Sequence, residues 1–408
     1  MAGTAPGANE AWLARALRSA SYGLASSIGR SMVWHQTAEA FMTLRLATFN
    51  IENLMRRFDF SGFRNPSKQD RVLRLFDIGN EAAYERLEEA RTITHADDTR
   101  QMSALAIADC DADILCLQEA DDMAALEAFE YGYLYRMMGS GYRKKVLIEG
   151  NDGRGIDVAV MMRETTRDGE AIVCTNAISH AALTYADLGL HDAYIARTNV
   201  PEDRIFRRDC LQLELTIGGR PLTLFIVHFK SMGPSRDGMD GRLSTMPVRR
   251  AEALAVRSII EKRFAGHMQD ASFAICGDMN DYRERIDVTG DRRNGYGFSP
   301  AAGTSAALDV FAADGFAENV VQRRPVLDRW TLFHSRGPAE RHLCQLDYIW
   351  LSPALAARNA DAVPEIIRAG QPYRTVFPPG QDVERYPRIG WDRPKASDHC
   401  PVVVALDV

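Results

Sequence analysis

The stretch SFAICGDMND, residues 272–281, runs a short apolar segment straight into Gly277 and then into two ligand-type side chains, Asp278 and Asn280. The apolar part reads as a buried strand, and glycine at its end lets the backbone turn and lets another group approach closely. Taken alone, an Asp and an Asn after a strand are ordinary turn chemistry. They gain meaning from what the rest of the chain repeats. Asn50 follows LRLATF (44–49), Glu119 follows DILCLQ (113–118), and His228 closes LTLFIV (222–227). Asp157 opens DVAVMM (157–162), Asp347 opens DYIWLS (347–352), and Asp398–His399 precedes PVVVAL (401–406). If the second group runs antiparallel to the first, every polar end falls on one edge of the sheets, where open sheets place ligands.

A further strand is read at LQLELTI (211–217). Helices are read over 98–109 and 247–264, the latter with Pro247 near its start. Long connections at 55–97, 282–329 and 354–395 carry small elements of their own or shape a binding surface. The Gly-rich 232–246 reads as a shorter loop. Residues 1–41, rich in Ala, Ser and Gly, read as an N-terminal extension, disordered or weakly helical, ahead of one domain over 42–408.

Charged residues make up 25% of the 408, hydrophobic residues 46%, and the net charge is −6. That is the balance of a globular chain with a sizeable core, and it provides no broad basic field for indiscriminate nucleic-acid binding. The seven cysteines form no CxxC pair, and several lie in apolar runs, so buried thiols in a reducing, cytoplasmic setting are expected rather than a disulfide framework or a thiolate zinc site. No apolar run approaches the ~20 residues needed to span a bilayer, and nothing predicts a protein partner.

The sequence resembles the endonuclease/exonuclease/phosphatase superfamily, whose members include deoxyribonuclease I and inositol polyphosphate 5-phosphatases. ATFNIENL (47–54), DILCLQEAD (113–121), GNDGRGIDVAVMMR (150–163), IVHFKS (226–231), CGDMND (276–281), LDYIWLS (346–352) and SDHCPVVV (397–404) carry the resemblance, in the family's order. It implies an α/β (α+β) deoxyribonuclease I-like fold: a four-layer sandwich of two mixed β-sheets packed face to face and flanked by helices. It implies Mg2+ as cofactor, with Mn2+ as a substitute, held by Glu119 with Asn50 and Asp398 nearby. A hard cation of this kind needs only one or two carboxylates.

The resemblance also distributes roles. His399 is the acid–base group, oriented by Asp347. Asp278 aligns or deprotonates the attacking water, and how it shares a proton with His399 stays open. Asn280, His228 and Asn50 contact phosphate oxygens, and Arg208 falls where several nuclease members bind phosphate. Lys230 adds charge there or is an ordinary solvated lysine. For Arg154 and Asp157 two accounts stand: Asp157 orients His228 behind a phosphate-contacting Arg154, or the two form a structural salt bridge. The expected reaction is one-step hydrolysis of a phosphodiester by water. The substrate expected is nucleic acid, making the chain a nuclease. The alternative is an inositol phosphate, phospholipid headgroup or other small ester, and a catalytically inactive phosphate-binding member is the third reading. Arg242, Arg249 and Arg250 would favour nucleic acid if they form one groove.

Overall fold

The computed structural model describes residues 43–54, 98–233, 240–337 and 340–408. The expected extension at 1–41 and the insert at 55–97 lie outside the described residues. The strands are β1 (Thr43–Leu54), β2 (Ile114–Ala120), β3 (Lys144–Leu147), β4 (Asp157–Met162), β5 (Ile172–Ser179), β6 (Cys210–Ile217), β7 (Arg220–His228), β8 (Phe273–Asp278), β9 (Glu284–Asp291), β10 (Gly295–Ala302), β11 (Glu318–Asn319), β12 (Leu332–Ser335), β13 (Arg341–Cys344), β14 (Asp347–Leu351), β15 (Glu365–Ile366) and β16 (Val402–Asp407).

Strict alternation along these strands makes the layers. On β1, Leu44 and Leu46 point one way and Ala47 and Phe49 the other; on β7, Leu222, Leu224 and Ile226 oppose Phe225 and Val227. A strand buried on both faces must lie between two apolar layers. The first set meets Cys116, Val160, Leu213 and Cys276 in one core between two six-stranded sheets, ordered β15-β16-β1-β2-β4-β3 and β11-β14-β8-β7-β6-β5. The outer faces are covered by helices: 98–110 and Met123–Phe129 on the first sheet, Gly241–Arg263 and Ala306–Ala312 on the second. The expected four-layer sandwich of mixed sheets is the observed fold.

Each sheet centres on one parallel pair, β1 with β2 and β7 with β8, flanked by antiparallel strands. This topology brings the polar strand ends together. In register, His228 stands beside Asp278 and Asp278 beside Asp347. β4 starts antiparallel to the end of β2, and β16 antiparallel to β1.

Two readings change. The long helix begins at Gly241, not 247, because the Asp240 side chain accepts the backbone N–H groups of Arg242 and Leu243; Pro247 lies inside it. The connection 282–329 holds the β9–β10 hairpin, which with β12 and β13 builds a third, four-stranded sheet. All seven cysteines are free thiols and six are buried. No helix among the described residues is long and apolar enough to cross a membrane.

Gly277 is fixed by its surroundings. Its φ is +147°, and a Cβ there would stand 1.9 Å from the carbonyl oxygen of Val227 on the adjacent strand. Gly277→Ala is therefore expected to cost about 3 kcal/mol or more, read as a lower urea midpoint; an unchanged midpoint would contradict the packing described.

Candidate active site

His399 is held at the shared edge through both its side chain and its backbone. Its Nδ1 lies 2.9 Å from Asp347 Oδ2, and both groups are buried. The Ser397 hydroxyl accepts the His399 backbone N–H and donates to the carbonyl of Asn50, tying the loop to the end of β1. Burial alone would push the imidazole pKa down, but the carboxylates of Asp347 and Asp278 outweigh it and hold it well above the ordinary value. Thr331 positions Asp347 by accepting its backbone N–H at 3.2 Å.

Asp278 occupies the centre. Its Oδ2 accepts from Asn50 Nδ2 at 3.1 Å and Asn280 Nδ2 at 3.0 Å, and its Oδ1 accepts the Asn280 backbone N–H at 2.8 Å. His228 Nε2 stands 3.6 Å and His399 Nε2 3.9 Å from the same Oδ2. Burial raises the carboxyl pKa; the nearby His399 opposes this only in part and Asp347 adds to it, leaving it at about 7. His228 moves the opposite way: burial, then Arg208, hold it well below its ordinary value, so it is a neutral donor at physiological pH.

Three carboxylates stand beside this pair. Glu119 accepts from the Asn53 backbone at 3.0 Å and lies 3.9 Å from His228 Nε2. Burial and the charge of Asp398 raise its pKa. Burial opposes ionisation of Asp398, but Lys395 and His399 outweigh it and keep that carboxyl below its usual range. Glu52 accepts the Asp398 backbone N–H at 3.0 Å and is clamped by Arg393 at 2.6 Å and the buried Lys395 at 2.9 Å. Glu52, Asn53, Glu119 and Asn280 all have positive φ, four of the seven such non-glycine residues among those described. Backbone strain of this kind costs roughly 1–3 kcal/mol per residue and persists where the surroundings enforce it, commonly at functional sites.

The model of the Endonuclease/Exonuclease/phosphatase family matches residues 47–399, nearly the whole described domain. The chain belongs to this family. Its members are hydrolases acting on phosphoester bonds. No curated protein sequence matches the chain. Similar solved structures include D. rerio TDP2 complexed with single-strand DNA product, at 13% identity and a TM-score of 0.47, covering 90% of this chain and 99% of that one. The human Nocturnin catalytic domain with bound sulfate matches at 13% and 0.46, covering 89% and 94%. A Bacteroides thetaiotaomicron protein of the same family matches at 14% and 0.44, covering 89% and 97%.

Family members generally depend on a divalent metal. Among the described residues no three or more His, Cys, Asp or Glu side chains gather tightly enough to hold an ion by themselves. A magnesium ion does not require that, since it keeps several waters and takes one or two carboxylates. Glu119 and Asp398 fit as that pair: both are oxygen donors, and the charge of Asp398 raises the cost of ionising Glu119. Asn50 fits less well as a ligand. Its amide N–H groups face Glu119 Oε1 and Asp278 Oδ2, and its oxygen accepts from the Glu52 backbone.

Several other expectations are corrected by the contacts. Asn280 presents no spare amide proton, because its Nδ2 donates to Asp278 and to the Phe229 carbonyl; it holds Asp278 in place. Asp157 neither orients His228 nor pairs with Arg154. It accepts the Gly150 backbone N–H, while His228 Nδ1 is buried without a protein partner. Arg154 and Arg208 both turn to Asp152, at 2.9 and 2.8 Å. Arg208 is buried and also donates to the Phe229 carbonyl, so it braces the strand end beside His228. The Lys230 ammonium contacts its neighbour Ser231. Arg249 is fully buried, against Asp281, and Arg242 bonds Asp281, Tyr282 and the Thr304 carbonyl, so the three arginines do not form one open groove.

The residues that sequence reasoning missed are Glu52, Lys395, Arg393, Asp152 and Thr331. Glu52 carried a readable signal, as an acid two positions after Asn50 in FNIENL. Lys395, Arg393 and Thr331 act through contacts across longer sequence separations and had none, while Asp152 bonds Arg154 two residues on in a polar loop that does not announce the choice.

Proposed function

We propose that this chain is a phosphodiesterase that cleaves nucleic acid by direct attack of water, with magnesium as its cofactor. The observation that carries the reading is the buried Asp278 carboxylate, near neutral in pKa and facing two histidines on one edge. A base tuned to the working pH takes a proton from water most effectively. Asp278, fixed by Asn50 and Asn280, orients the water and accepts its proton as the oxygen closes on phosphorus. His228 donates through Nε2–H, and His399, charged through its pairing with Asp347, stabilises negative charge building on the phosphoryl oxygens. Held by Glu119 and Asp398, magnesium would neutralise phosphate charge and assist the leaving oxygen. The bond to the leaving oxygen breaks without an enzyme-bound intermediate.

The second reading, a small phosphate ester or lipid headgroup, is favoured by the net charge of −6 and by the burial of Arg249. A panel assay separates them. With magnesium, the purified chain is expected to cleave single-stranded DNA or RNA and a chromogenic diester, and to lose both activities in EDTA. Release of inorganic phosphate from a monoester alone would overturn the nuclease reading.

A further inference from the structure

Residues 367–397 wrap beside the catalytic edge and carry six cationic side chains, of which Arg368, Arg374, Arg388, Arg393 and Lys395 are paired with carboxylates and Arg385 lies against the Tyr373 ring. This segment is fastened to the site at both ends. Gln371 Nε2 donates to the backbone carbonyls of Ser397 and His399, each at 3.2 Å. Arg393 and Lys395 grip Glu52. Between these anchors the backbone N–H of Tyr373 meets the Gly390 carbonyl at 3.0 Å, and that of Arg374 meets the Trp391 carbonyl at 2.9 Å. The turn bearing Trp391 is closed by Gly390 N–H to the Pro394 carbonyl at 2.9 Å. A Cβ at 390 would stand 1.9 Å from the Arg393 carbonyl oxygen, so the turn is tight.

This rigid support holds two large rings out to solvent. Trp391 is 67% exposed and Tyr373 54%. The Arg385 guanidinium sits 4.7 Å from the Tyr373 ring centre and is itself held by the Gln371 carbonyl. Single apolar residues on a surface need no explanation, but here two exposed aromatic rings stand on segments hydrogen-bonded to each other, with an arginine against one of them.

We infer that Trp391 and Tyr373 form a base-stacking subsite for the unpaired nucleotides next to the phosphate being cleaved. The inference rests on the phosphodiesterase reading and narrows its substrate to single-stranded polynucleotide. Any base offers a π-face, and aromatic rings beside cationic side chains are the usual means of holding a single strand without sequence preference. A duplex hides those faces in its own stack. A bilayer surface is the competing occupant. The rings' place beside the phosphoester-cleaving edge favours the polynucleotide, because the nucleotides flanking a bound phosphate must lie there, whereas an indole among arginines would suit a lipid headgroup layer equally well.

The test compares the full-length chain with Trp391→Ala, Tyr373→Ala, their combination and Trp391→Phe. Anisotropy of a fluorescent oligothymidylate is expected to show Kd rising about tenfold for Trp391→Ala and further for the double variant, with Trp391→Phe close to wild type. KM for the oligonucleotide should rise with kcat little changed, while bis(p-nitrophenyl) phosphate, too short to reach the rings, should be cleaved at the parental rate. Equal oligonucleotide Kd in wild type and the double variant overturns the subsite. So does loss of binding to phosphatidylcholine–phosphatidylserine vesicles with oligonucleotide binding intact, which would assign the rings to a membrane surface. If wild type cleaves neither diester the phosphodiesterase reading fails, and anisotropy still decides the subsite. Both rings are exposed, so all four variants should melt with wild type.

Discussion

Asp278→Asn is expected to lower kcat on a phosphodiester by about 10²–10⁴-fold while leaving the protein folded. The substitution preserves size and keeps an acceptor for the Asn280 backbone, yet removes the group that takes a proton from water. The pH profile gives the sharper evidence. The wild-type carboxyl titrates at about 7, so it is protonated and idle in acid, and activity should rise with pH through that value. The asparagine variant should lose that limb. Stability moves the other way. Because the folded-state pKa lies above the unfolded one, native protein binds more protons between roughly pH 4 and 7, and this carboxyl costs stability increasingly as pH rises across that window. Asparagine pays no such penalty, but its amide N–H groups would face those of Asn50 and Asn280, so the melting temperature at pH 8 should stay close to that of wild type. Residual turnover near the parental level would remove Asp278 from the mechanism; a collapsed melting temperature would make it structural.

What the sequence revealed and what it concealed follow from the range of the forces involved. The central strands were legible because each is apolar on both faces and ends abruptly in Asn50, Glu119, His228 or Asp278, a pattern fixed by burial within five or six residues. The third sheet was not. ERIDVTGD in β9 and GYGFSPAA in β10 mix charge, glycine and proline, so neither strand shows a clean alternation. The start of the long helix was hidden because Pro247 resembles a first-turn proline, while the cap is a side-chain contact by Asp240. Residue types at the site were readable, but partner choice was not. Asp157 stands among the right neighbours yet bonds Gly150, and Asp152, unremarkable in NDGRG, takes both arginines. Such choices are decided by a few tenths of an ångström in the folded loops, even where the partners stand two or seven residues apart.

Partner choice also sets the value of His399, and Asp347→Asn is the variant that exposes it. An aspartate at 2.9 Å accepts from Nδ1–H, leaving Nε2 to face Asp278, and stabilises the imidazolium. An asparagine can offer its N–H to Nδ1, which favours the opposite tautomer, and its neutral amide no longer stabilises the cation. The expected loss in kcat is about 10²–10⁴-fold, with KM changed less. The pH dependence distinguishes this from simple unfolding. In wild type the imidazole pKa is held above its unfolded value by Asp347 and Asp278 against the opposing effect of burial. Its protonated form therefore adds stability fully present below about pH 6.5, and that stability fades as pH rises through the folded-state value. Removing the Asp347 carboxylate should lower the melting temperature most below about pH 6.5 and least in alkali, while the NMR titration of His399 moves to lower pH. An unmoved His399 titration, with kcat near wild type, would show that the pair at the start of β14 organises the fold and takes no part in the chemistry.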